Sequence, residues 1–576
     1  MQRAILLVVA AVCGCQASPP LTTQIPYGPT YACGVAPGIC TGADCVLNVR
    51  DYGAQGNGKT DDTKAIQCAI DAASNPASFP NGAAVYLPAG KYPISIAKSS
   101  CGGASALAIG ASNLRLFGDG DSSILYVPSW EETSGATLEL ITSYLFIGSS
   151  GHDVNNVVLE RFAFMGQLHA DSTREGSYAD AVQFGTAAQT HTINFSGLRD
   201  MLFQGTARAL GMYGGPSPGQ GTVPAIRGAG NFVIDSRFTD LEGQVVGCHS
   251  AEYVDTLVRG NVMRSISGLA VESFSGRMLI EGNVIDDARG GAVAFNQDSS
   301  SLGWSIVSQN SITTVGKGRT PPPHAIQLGE ATPAYRVKII GNTIQNAYGS
   351  GIMSYQACGL DVEDNVVDGY GLGALGMTGI SAYNIYCGGQ VVANQVRCTS
   401  SDAGCEWGIV TGGSEGESAW ADSNTVAGVT NAGGLALLMN QSTGVNGAGS
   451  NVFTGRNVDL DTGEDAPFRD NTNTASLPSY YVNGGSYSVA GSKIWELYNA
   501  TGAPTSVAGL TGCSLGGTVT LWFAGPNSTT LTDNGTAGPF DLNGDFTAAG
   551  GRDSVLSLLC VSTNPPLWLE VSRAND

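Results

Sequence analysis

From about residue 230 onward, apolar and polar positions alternate in short segments that return along the chain. Each repeat contains an apolar strand, a turn, and an asparagine followed by a second short strand. The eight asparagines are Asn261, Asn283, Asn310, Asn342, Asn365, Asn394, Asn424 and Asn451, at spacings of 22, 27, 32, 23, 29, 30 and 27 residues. A recurring unit of about 20–50 residues is typical of a solenoid. Because the segments are β-branched and have period two, the pattern predicts strands.

A second set of strands precedes the asparagines and predicts the core. Its central aliphatic positions are Val271, Val293, Ile326, Ile352, Ile380, Ile409 and Leu437. Stacked coil on coil, these side chains would form a continuous inner column. We expect each asparagine to take a left-handed turn position and its amide to join a ladder between coils about 4.8 Å apart. The alternative is a large β-sandwich in which these are ordinary hairpin turns.

Composition and charge narrow the possible classes of protein. The chain has 576 residues with 80 glycines, and only 13% of its residues are charged. So few charges exclude a disordered acidic chain and a coiled coil, and the glycines have no collagen-like period. There are 27 basic against 48 acidic residues, a net charge of −21. We therefore expect no nucleic-acid partner.

The first residues predict export from the cell. An apolar run from Ala4 to Val12 follows Arg3. It is too short for a membrane span, which needs about 20 apolar residues, so residues 1–17 are interpreted as a signal peptide. Alternatively, cleavage after residue 14 would leave Cys15 as a lipid-modified first residue, as in bacterial lipoproteins. We expect a secreted or surface-anchored protein with no membrane span.

Fourteen cysteines in an exported chain favour disulfides over metal ligands, and no Cys-x-x-Cys pair occurs. We therefore predict no metal site. Position in the repeats or closeness in sequence predicts four bridges: Cys358–Cys387, Cys398–Cys405, Cys68–Cys101 and Cys513–Cys560.

The segment before the repeats carries a resemblance to a known family. Residues 51–63 read Asp-Tyr-Gly-Ala-Gln-Gly-Asn-Gly-Lys-Thr-Asp-Asp-Thr, and Val-Tyr-Leu-Pro-Ala-Gly-Lys-Tyr follows at 85–92. Together with the glycine-rich turn at 116–120, they resemble the opening of the pectate-lyase superfamily of right-handed parallel β-helix proteins, which includes rhamnogalacturonases, polygalacturonases and epimerases. The resemblance implies an all-β fold with a polysaccharide groove on the outer side of one sheet.

The predicted domain order follows from these features. A cysteine-containing segment at 18–45 precedes a parallel β-helix at 46–458, a linker at 459–477 and a small C-terminal β-domain at 478–576. An amphipathic stretch to Ala73 predicts an N-terminal capping helix. Thr60 or Asp61 would cap that helix, so the adjacent pair Asp61 and Asp62 is interpreted as structural.

The sequence motifs do not identify the reaction that the protein would catalyse. The chain lacks the Asn-Thr-Asp, Asp-Asp, Gly-His-Gly and Arg-Ile-Lys set of polygalacturonase-type hydrolases and the Asp-Pro-His-Glu motif of mannuronan epimerases. Fold kinship by itself supports only a class of function.

Glycoside hydrolysis is our first hypothesis. It requires two carboxyl groups about 5–10 Å apart. Glu272, Asp298 and Glu330 fall on neighbouring predicted coils, and His249 is a further catalytic candidate. The polar and aromatic positions expected to bind substrate are Tyr213, Asn296, Arg289, Lys317, Arg319, His324, Gln327, Tyr355 and Tyr383.

Two alternatives stay open. A polysaccharide lyase or uronate epimerase would use the same groove, with a base at C5 and a cation for the substrate carboxylate. Such a lyase could use calcium, whereas otherwise we expect no cofactor. The other alternative is a non-catalytic surface adhesin or spike that binds carbohydrate. In each case a polysaccharide is the expected partner.

Overall fold

A computed structural model describes most of residues 45–429 and parts of the chain beyond. The described residues are 33, 45–95, 105–128, 142–149, 151–166, 179–185, 191–213, 228–248, 253–274, 277–295, 303–330, 333–385, 387–399, 404–413, 419–429, 435–440, 447–449, 452–455, 458–461, 468–469, 472–473, 479–481, 486–488, 494–498, 505–511, 518–524, 528–532, 539–542, 545–548, 554–563 and 566–574. They form two compact units, residues 1–279 and 280–576. Within the described part of the chain, every helix is too short or too polar to span a bilayer.

The first unit winds as coils of parallel strands, and each coil contributes to up to three faces. Face A comprises Ser105–Ile109, Thr142–Ile147, Ala179–Phe184, Arg208–Met212, Val246–Cys248 and Val271–Ser273. Face B comprises Val46–Asn48, Ala84–Leu87, Gly197–Arg199, Phe232–Ile234, Thr256–Arg259 and the first halves of Arg115–Val127 and Val158–Gly166. Face C comprises the second halves of those two strands with Gly90–Pro93, Leu202–Gln204, Arg237–Leu241 and Val262–Ile266.

Shorter elements complete the first unit. A 3-10 helix at Val49–Tyr52 and an α-helix at Thr63–Ala73 lie near its N-terminus. Two small strand pairs join Val154–Asn155 to Ile193–Asn194 and Gly228–Ala229 to Tyr253–Val254. The strand Met278–Glu281 contains the boundary between the two units, which lies between residues 279 and 280.

The second unit repeats the three-faced coil. Face D comprises Val293–Phe295, Ile326–Leu328, Ile352–Ser354, Met377–Ile385, Cys405–Gly413, Leu435–Asn440 and Val458–Asp461. Face E comprises Ser305–Ser308, Ala334–Ile340, Ala357–Glu363, Gly389–Val392, Ala419–Asp422, Gly447–Gly449 and Phe468–Arg469. Face F comprises Val284–Ala288, Ser311–Val315, Thr343–Ala347, Val366–Asp368, Gln395–Arg397, Thr425–Val429, Val452–Gly455 and Thr472–Asn473.

The last described coil lies beyond the predicted end of the solenoid. Its strands on faces E and F, Phe468–Arg469 and Thr472–Asn473, fall within the segment expected to be a linker. The C-terminal strands follow in one six-stranded mixed sheet, in the order Ser479–Tyr481, Ile494–Tyr498, Thr518–Ala524, Ser554–Thr563, Pro566–Ala574 and Phe540–Asp541. Two smaller sheets contain Ser486–Ser488 with Gly509–Thr511, and Thr505–Val507 with Thr529–Leu531 and Phe546–Ala548.

The predicted aliphatic column is present on the inner side of face D. Val293 pairs with Ile326, and the register continues through Ile352, Ile380 and Ile409 to Leu437. The first five are fully buried, and Val271 is buried on face A beside Val246. Burying each Val or Ile side chain contributes about 1.5–3 kcal/mol, so the column is a main source of stability. The prediction of a right-handed parallel β-helix is confirmed.

The asparagine ladder is also present in the second unit. Each Nδ2 donates to the Oδ1 of the next asparagine at 2.9–3.0 Å along Asn283, Asn310, Asn342, Asn365, Asn394 and Asn424. Each accepting Oδ1 also takes the preceding asparagine's backbone N–H at the same range of distances. Asn261 belongs to the first unit and accepts from Ser236 N, whereas Asn451 lies outside the described residues.

The expectation that asparagine itself takes the left-handed position is wrong. The positive φ belongs to the residue before it, for example Gln309 at 55°, Asp364 at 54° and Ala393 at 57°. The physical reason is that this preceding residue turns the chain, which leaves the asparagine amide buried inside the coil where the ladder can form. Glycine is therefore common there, but it is not required.

The disulfide predictions are partly correct. Cys358–Cys387 and Cys398–Cys405 are formed. The Cys68–Cys101 prediction is wrong, because Cys68 pairs with Cys33 from the segment before the first coil. Closeness in sequence could not decide here, since Cys33 is 35 residues from Cys68 and Cys101 is almost equally far on the other side. Cys560 is disulfide-bonded, and its predicted partner Cys513 lies outside the described residues.

The pair Asp61 and Asp62 has the structural role that was predicted. Asp61 Oδ1 accepts the N–H of Thr63 at 2.9 Å at the start of the helix. Asp62 is buried, and its carboxylate accepts the backbone N–H groups of Gln55 and Gly56 at 2.8 and 3.0 Å. Asp61 therefore caps the first turn of the helix, whereas Asp62 fastens the preceding loop to the helix start.

Candidate active site

Three charged residues lie in the apolar strands of face A, namely Asp180, Arg208 and Glu272. Asp180 in Ala179–Phe184 pairs in register with Arg208 in Arg208–Met212 on the next coil. The Asp180 side chain is fully buried, and 10% of the Arg208 side chain is exposed. Asp180 Oδ1 lies 3.6 Å from Arg208 Nη1, an ion pair longer than a hydrogen bond. Buried charges of this kind are costly and are retained where they are paired.

Tyr213 completes this cluster. Arg208 Nη1 donates to the Tyr213 hydroxyl at 2.7 Å, and Tyr213 is only 7% exposed. Gly211 lies between the groups, because a Cβ there would stand 2.5 Å from both Asp180 Oδ2 and Tyr213 Cε2. A side chain at Gly211 would thus separate the carboxylate from the phenol. We call Asp180, Arg208 and Tyr213 the face A cluster.

Burial sets the protonation states of the face A cluster. Burial raises the pKa of Asp180 to about 6, although the positive charge of Arg208 acts to lower it. It also raises the pKa of Tyr213 well above its ordinary value, and the Asp180 charge adds to this. At neutral pH the carboxylate is therefore mostly ionised, whereas the phenol keeps its proton. An acid with a pKa near the working pH and a protonated phenol is an arrangement suited to proton transfer.

Glu272 lies on the same face, two coils after Arg208. It is buried, pairs with Gly247 in register, and accepts a hydrogen bond from Gln244 Nε2. Tyr213 and Glu272 are the two sequence-predicted site residues that the structure describes in the first unit. The predicted base His249 lies outside the described residues.

In the second unit, His324 and Tyr355 form a hydrogen-bonded pair. His324 Nδ1 accepts the N–H of Ser350 at 3.0 Å, so the ring proton is assigned to Nε2, which lies 2.9 Å from the Tyr355 hydroxyl. His324 is buried, and burial lowers its pKa to about 4. The imidazole is therefore neutral at physiological pH, so His324 would contact a substrate as a neutral hydrogen-bonding group.

Gln327 and Glu330 lie near that pair. Gln327 Nε2 donates to Glu330 Oε2, and burial, with the Glu330 charge second, raises the pKa of Tyr355. Three predicted positions therefore influence one phenol. Their hydrogen bonds leave the Tyr355 O–H able to donate to a ligand, since the imidazole N–H already occupies the phenol oxygen as acceptor.

The other predicted positions are not brought into these clusters. Arg289 and Lys317 are exposed in turns, and Arg319 is half-buried. Tyr383 is 41% exposed and contributes its backbone carbonyl to Ser354 Oγ at 3.4 Å. Asn296 and Asp298 lie outside the described residues. Glu272 and Glu330 belong to different units, and each accepts a hydrogen bond from a glutamine, so the acid pair of the hydrolase hypothesis stays a prediction.

The sequence reasoning missed Asp180 and Arg208. A signal was present, since each is a lone charge in a short apolar strand, Ala-Asp-Ala-Val at 179–182 and Ala-Arg-Ala-Leu at 207–210. Only the register shows that the two charges lie opposite each other. In the part of the chain that the structure describes, no three acidic, histidine or cysteine side chains are grouped to hold a metal.

Comparison with known proteins agrees with this architecture. A family model described as rhamnogalacturonase A/epimerase, pectate lyase-like, matches residues 46–293. Alginate lyase 7 of Azotobacter vinelandii is 44% identical over 87 residues, which is 15% of this chain and 9% of that protein. Mannuronan C5-epimerase AlgE3 of the same organism is 41% identical over 88 residues, 15% of this chain and 4% of the relative. The match thus spans less than a tenth of each of these relatives.

Solved structures are similar at low identity. The A-module of mannuronan C-5 epimerase AlgE6 from Azotobacter vinelandii matches with a TM-score of 0.41 and 16% identity, over 74% of this chain and 98% of that one. The catalytic unit of a GH87 α-1,3-glucanase from Streptomyces thermodiastaticus matches with a TM-score of 0.41 and 17% identity, over 73% and 70%.

Proposed function

Since residues 46–293 belong to the pectate-lyase-like family of parallel β-helix proteins, we propose that this protein is a polysaccharide-active enzyme that cleaves a uronate-containing polymer by β-elimination. The face A cluster is the observation that carries the proposal. It combines a cation, a protonated phenol and a carboxylate on adjacent coils. The similarity to an alginate lyase and to mannuronan epimerases supports a uronate as the substrate unit.

Elimination at a uronate breaks two bonds. A base removes the C5 proton, the C4–O bond breaks, and a C4=C5 double bond forms while the departing oxygen takes up a proton. The substrate carboxylate must be neutralised to make the C5 proton acidic. In this proposal Arg208 binds that carboxylate, and Tyr213 gives its proton to the departing oxygen.

The remaining roles follow from burial. Asp180 is fully buried behind Arg208 and Tyr213, so it acts as a positioning residue that sets their orientation and charge. The base that removes the C5 proton is proposed to be Glu272 or His249. Calcium could assist in neutralising the substrate, and the need for it is tested directly by chelation.

Product analysis tests the reaction class. Purified full-length protein is incubated with polymannuronate, polyguluronate, polygalacturonate and a neutral β-glucan, with and without a chelator. We expect ultraviolet absorbance of unsaturated uronate ends from a uronate polymer. New reducing ends without unsaturation would show hydrolysis instead. A change in C5 configuration by NMR without chain cleavage would show epimerisation, which shares the first proton transfer.

Variants test the face A cluster. Tyr213→Phe should reduce the rate about 10²–10⁴-fold, as expected for loss of a proton-transfer group. Arg208→Gln should reduce it about 10²–10³-fold. The matched controls are Tyr52→Phe and Arg259→Gln, a half-buried tyrosine and an exposed arginine of the same unit that lie outside the cluster. Full activity in a folded Tyr213→Phe variant would remove Tyr213 from the mechanism.

A further inference from the structure

A concave pocket of about 510 Å³ opens beside face E of the second unit. Its lining includes Trp304, Arg336, Asp361 and Gln390, together with the disulfide Cys358–Cys387. Gln327 and Tyr383, which were predicted to bind polysaccharide, belong to a different face, face D. The pocket is therefore separate from the His324–Tyr355 pair, and its lining residues are not members of the face A cluster.

An indole forms one wall of this pocket. Trp304 is half-buried, and Lys338 Nζ lies 4.6 Å from its ring centroid without lining the pocket. Lys338 is also ion-paired with Asp361 Oδ2 at 2.8 Å. The cation–π contact and the ion pair hold the indole and neutralise the pocket's acid. A fixed, partly exposed indole is a surface on which the apolar side of a sugar ring can stack.

One positive charge at the pocket is left without an ionic partner. Arg336 is exposed, and its guanidinium makes no ion pair with a described residue. Because Asp361 is already paired with Lys338, the charge that the pocket offers to a ligand is that of Arg336. A guanidinium binds a carboxylate through two parallel hydrogen bonds, so its preferred ligand is a planar carboxylate.

Glycines form the floor of the pocket, so no side chains project from it into the cavity. Gly359 has a φ of +75°, and a Cβ there would stand 3.6 Å from the Trp304 ring. Gly388 and Gly389 follow on the next coil, beside Cys387. The Cys358–Cys387 bridge ties these two coils together at the same place. The floor is thus both free of side chains and covalently held, which favours a preformed site.

We propose that this pocket binds a uronate residue of a polysaccharide, with the sugar ring stacked on Trp304 and its carboxylate bound by Arg336. In this proposal the pocket binds the polymer without taking part in bond cleavage. The ligand class rests on the proposed function, whereas binding at the pocket can be measured whether or not the protein cleaves the polymer.

Titration calorimetry tests the pocket directly. The full-length protein carrying Tyr213→Phe is titrated with a uronate tetrasaccharide, so that slow turnover consumes little of the ligand. Adding Trp304→Ala should weaken binding at the pocket at least about 10-fold, since a stacking contact and its buried area contribute about 1.4 kcal/mol or more. Adding Arg336→Ala should weaken it about 5–10-fold. The charge-matched control is Arg397→Ala, an exposed arginine on face F.

The outcomes separate the two proposals. Loss of binding in Trp304→Ala and Arg336→Ala, with retention in Arg397→Ala, supports the pocket. Equal affinity in all of these variants would overturn it. Equal binding of a neutral glucan tetrasaccharide would overturn the assignment of a uronate. Failure of the parent protein to produce unsaturated ends would count against the proposed function alone, because the calorimetry does not depend on cleavage.

Discussion

Replacing Asp180 with asparagine should stabilise the protein above pH 6 while impairing its activity. Asp180 is fully buried, and its ion-pair partner Arg208 lies 3.6 Å away. Asparagine has the shape of the protonated acid and carries no charge. The substitution therefore removes the cost of keeping an ionised carboxylate in the interior.

The magnitude follows from the pKa of Asp180. The pKa of about 6 in the folded protein compares with 3.8 for an exposed aspartate. Because the folded state holds this proton more tightly, the group's favourable contribution is complete below pH 3.8 and is lost as the pH rises to 6. At about 1.4 kcal/mol per pKa unit, the loss is about 3 kcal/mol. Asp180→Asn should therefore exceed the parent in stability by about 3 kcal/mol at pH 7–8, and by much less near pH 4.

Denaturant unfolding at a series of pH values measures this difference. The parent, Asp180→Asn and the control Asp51→Asn, an exposed aspartate of the same unit, are compared from about pH 4 to pH 8. Parallel stability curves for the parent and Asp180→Asn would show that burial does not raise the pKa of Asp180. A less stable Asp180→Asn at pH 8 would show that charge balance for Arg208 outweighs burial. The pH dependence of the reaction rate is also measured for Asp180→Asn, in which Tyr213 is intact. A shift of this profile along the pH axis would show that Asp180 positions the cluster, whereas a simple loss of structure would lower the rate without shifting the profile.

Two further predictions concern buried polar groups of the second unit. Asn342→Ala should lower the free energy of unfolding by about 3 kcal/mol or more, because it removes a side chain that donates to Val307 O and to Asn365 Oδ1 and leaves buried ladder groups unsatisfied. Denaturant unfolding measures this loss, with the exposed Asn75→Ala as control. A loss below about 1 kcal/mol would contradict the importance of the ladder. His324 has a pKa of about 4 when folded and 6.5 when exposed, so the folded state binds fewer protons and stability should fall by up to about 3 kcal/mol as the pH drops from 6.5 to 4. His324→Gln, which cannot titrate, should lack this dependence in the same unfolding series, and an unchanged dependence would assign it to other groups.

The sequence contained enough to predict the solenoid and its core. The recurrent asparagines and the aliphatic positions from Val293 to Leu437 repeat because each coil must bury one hydrophobic side chain and satisfy one turn in the same way. This regularity is local, so it is visible in the order of residues. The bridge Cys358–Cys387 was predictable for the same reason, as both cysteines occupy one place in successive repeats.

The candidate site was decided by the tertiary structure. Asp180 and Arg208 are 28 positions apart, and only the register of face A places them opposite each other with Tyr213. The low pKa of His324 and the raised pKa of Asp180 likewise depend on burial, which comes from neighbouring coils. A repeat pattern specifies which side chains face inward. It does not specify which charges meet, because coil lengths vary and set the register between strands far apart in sequence.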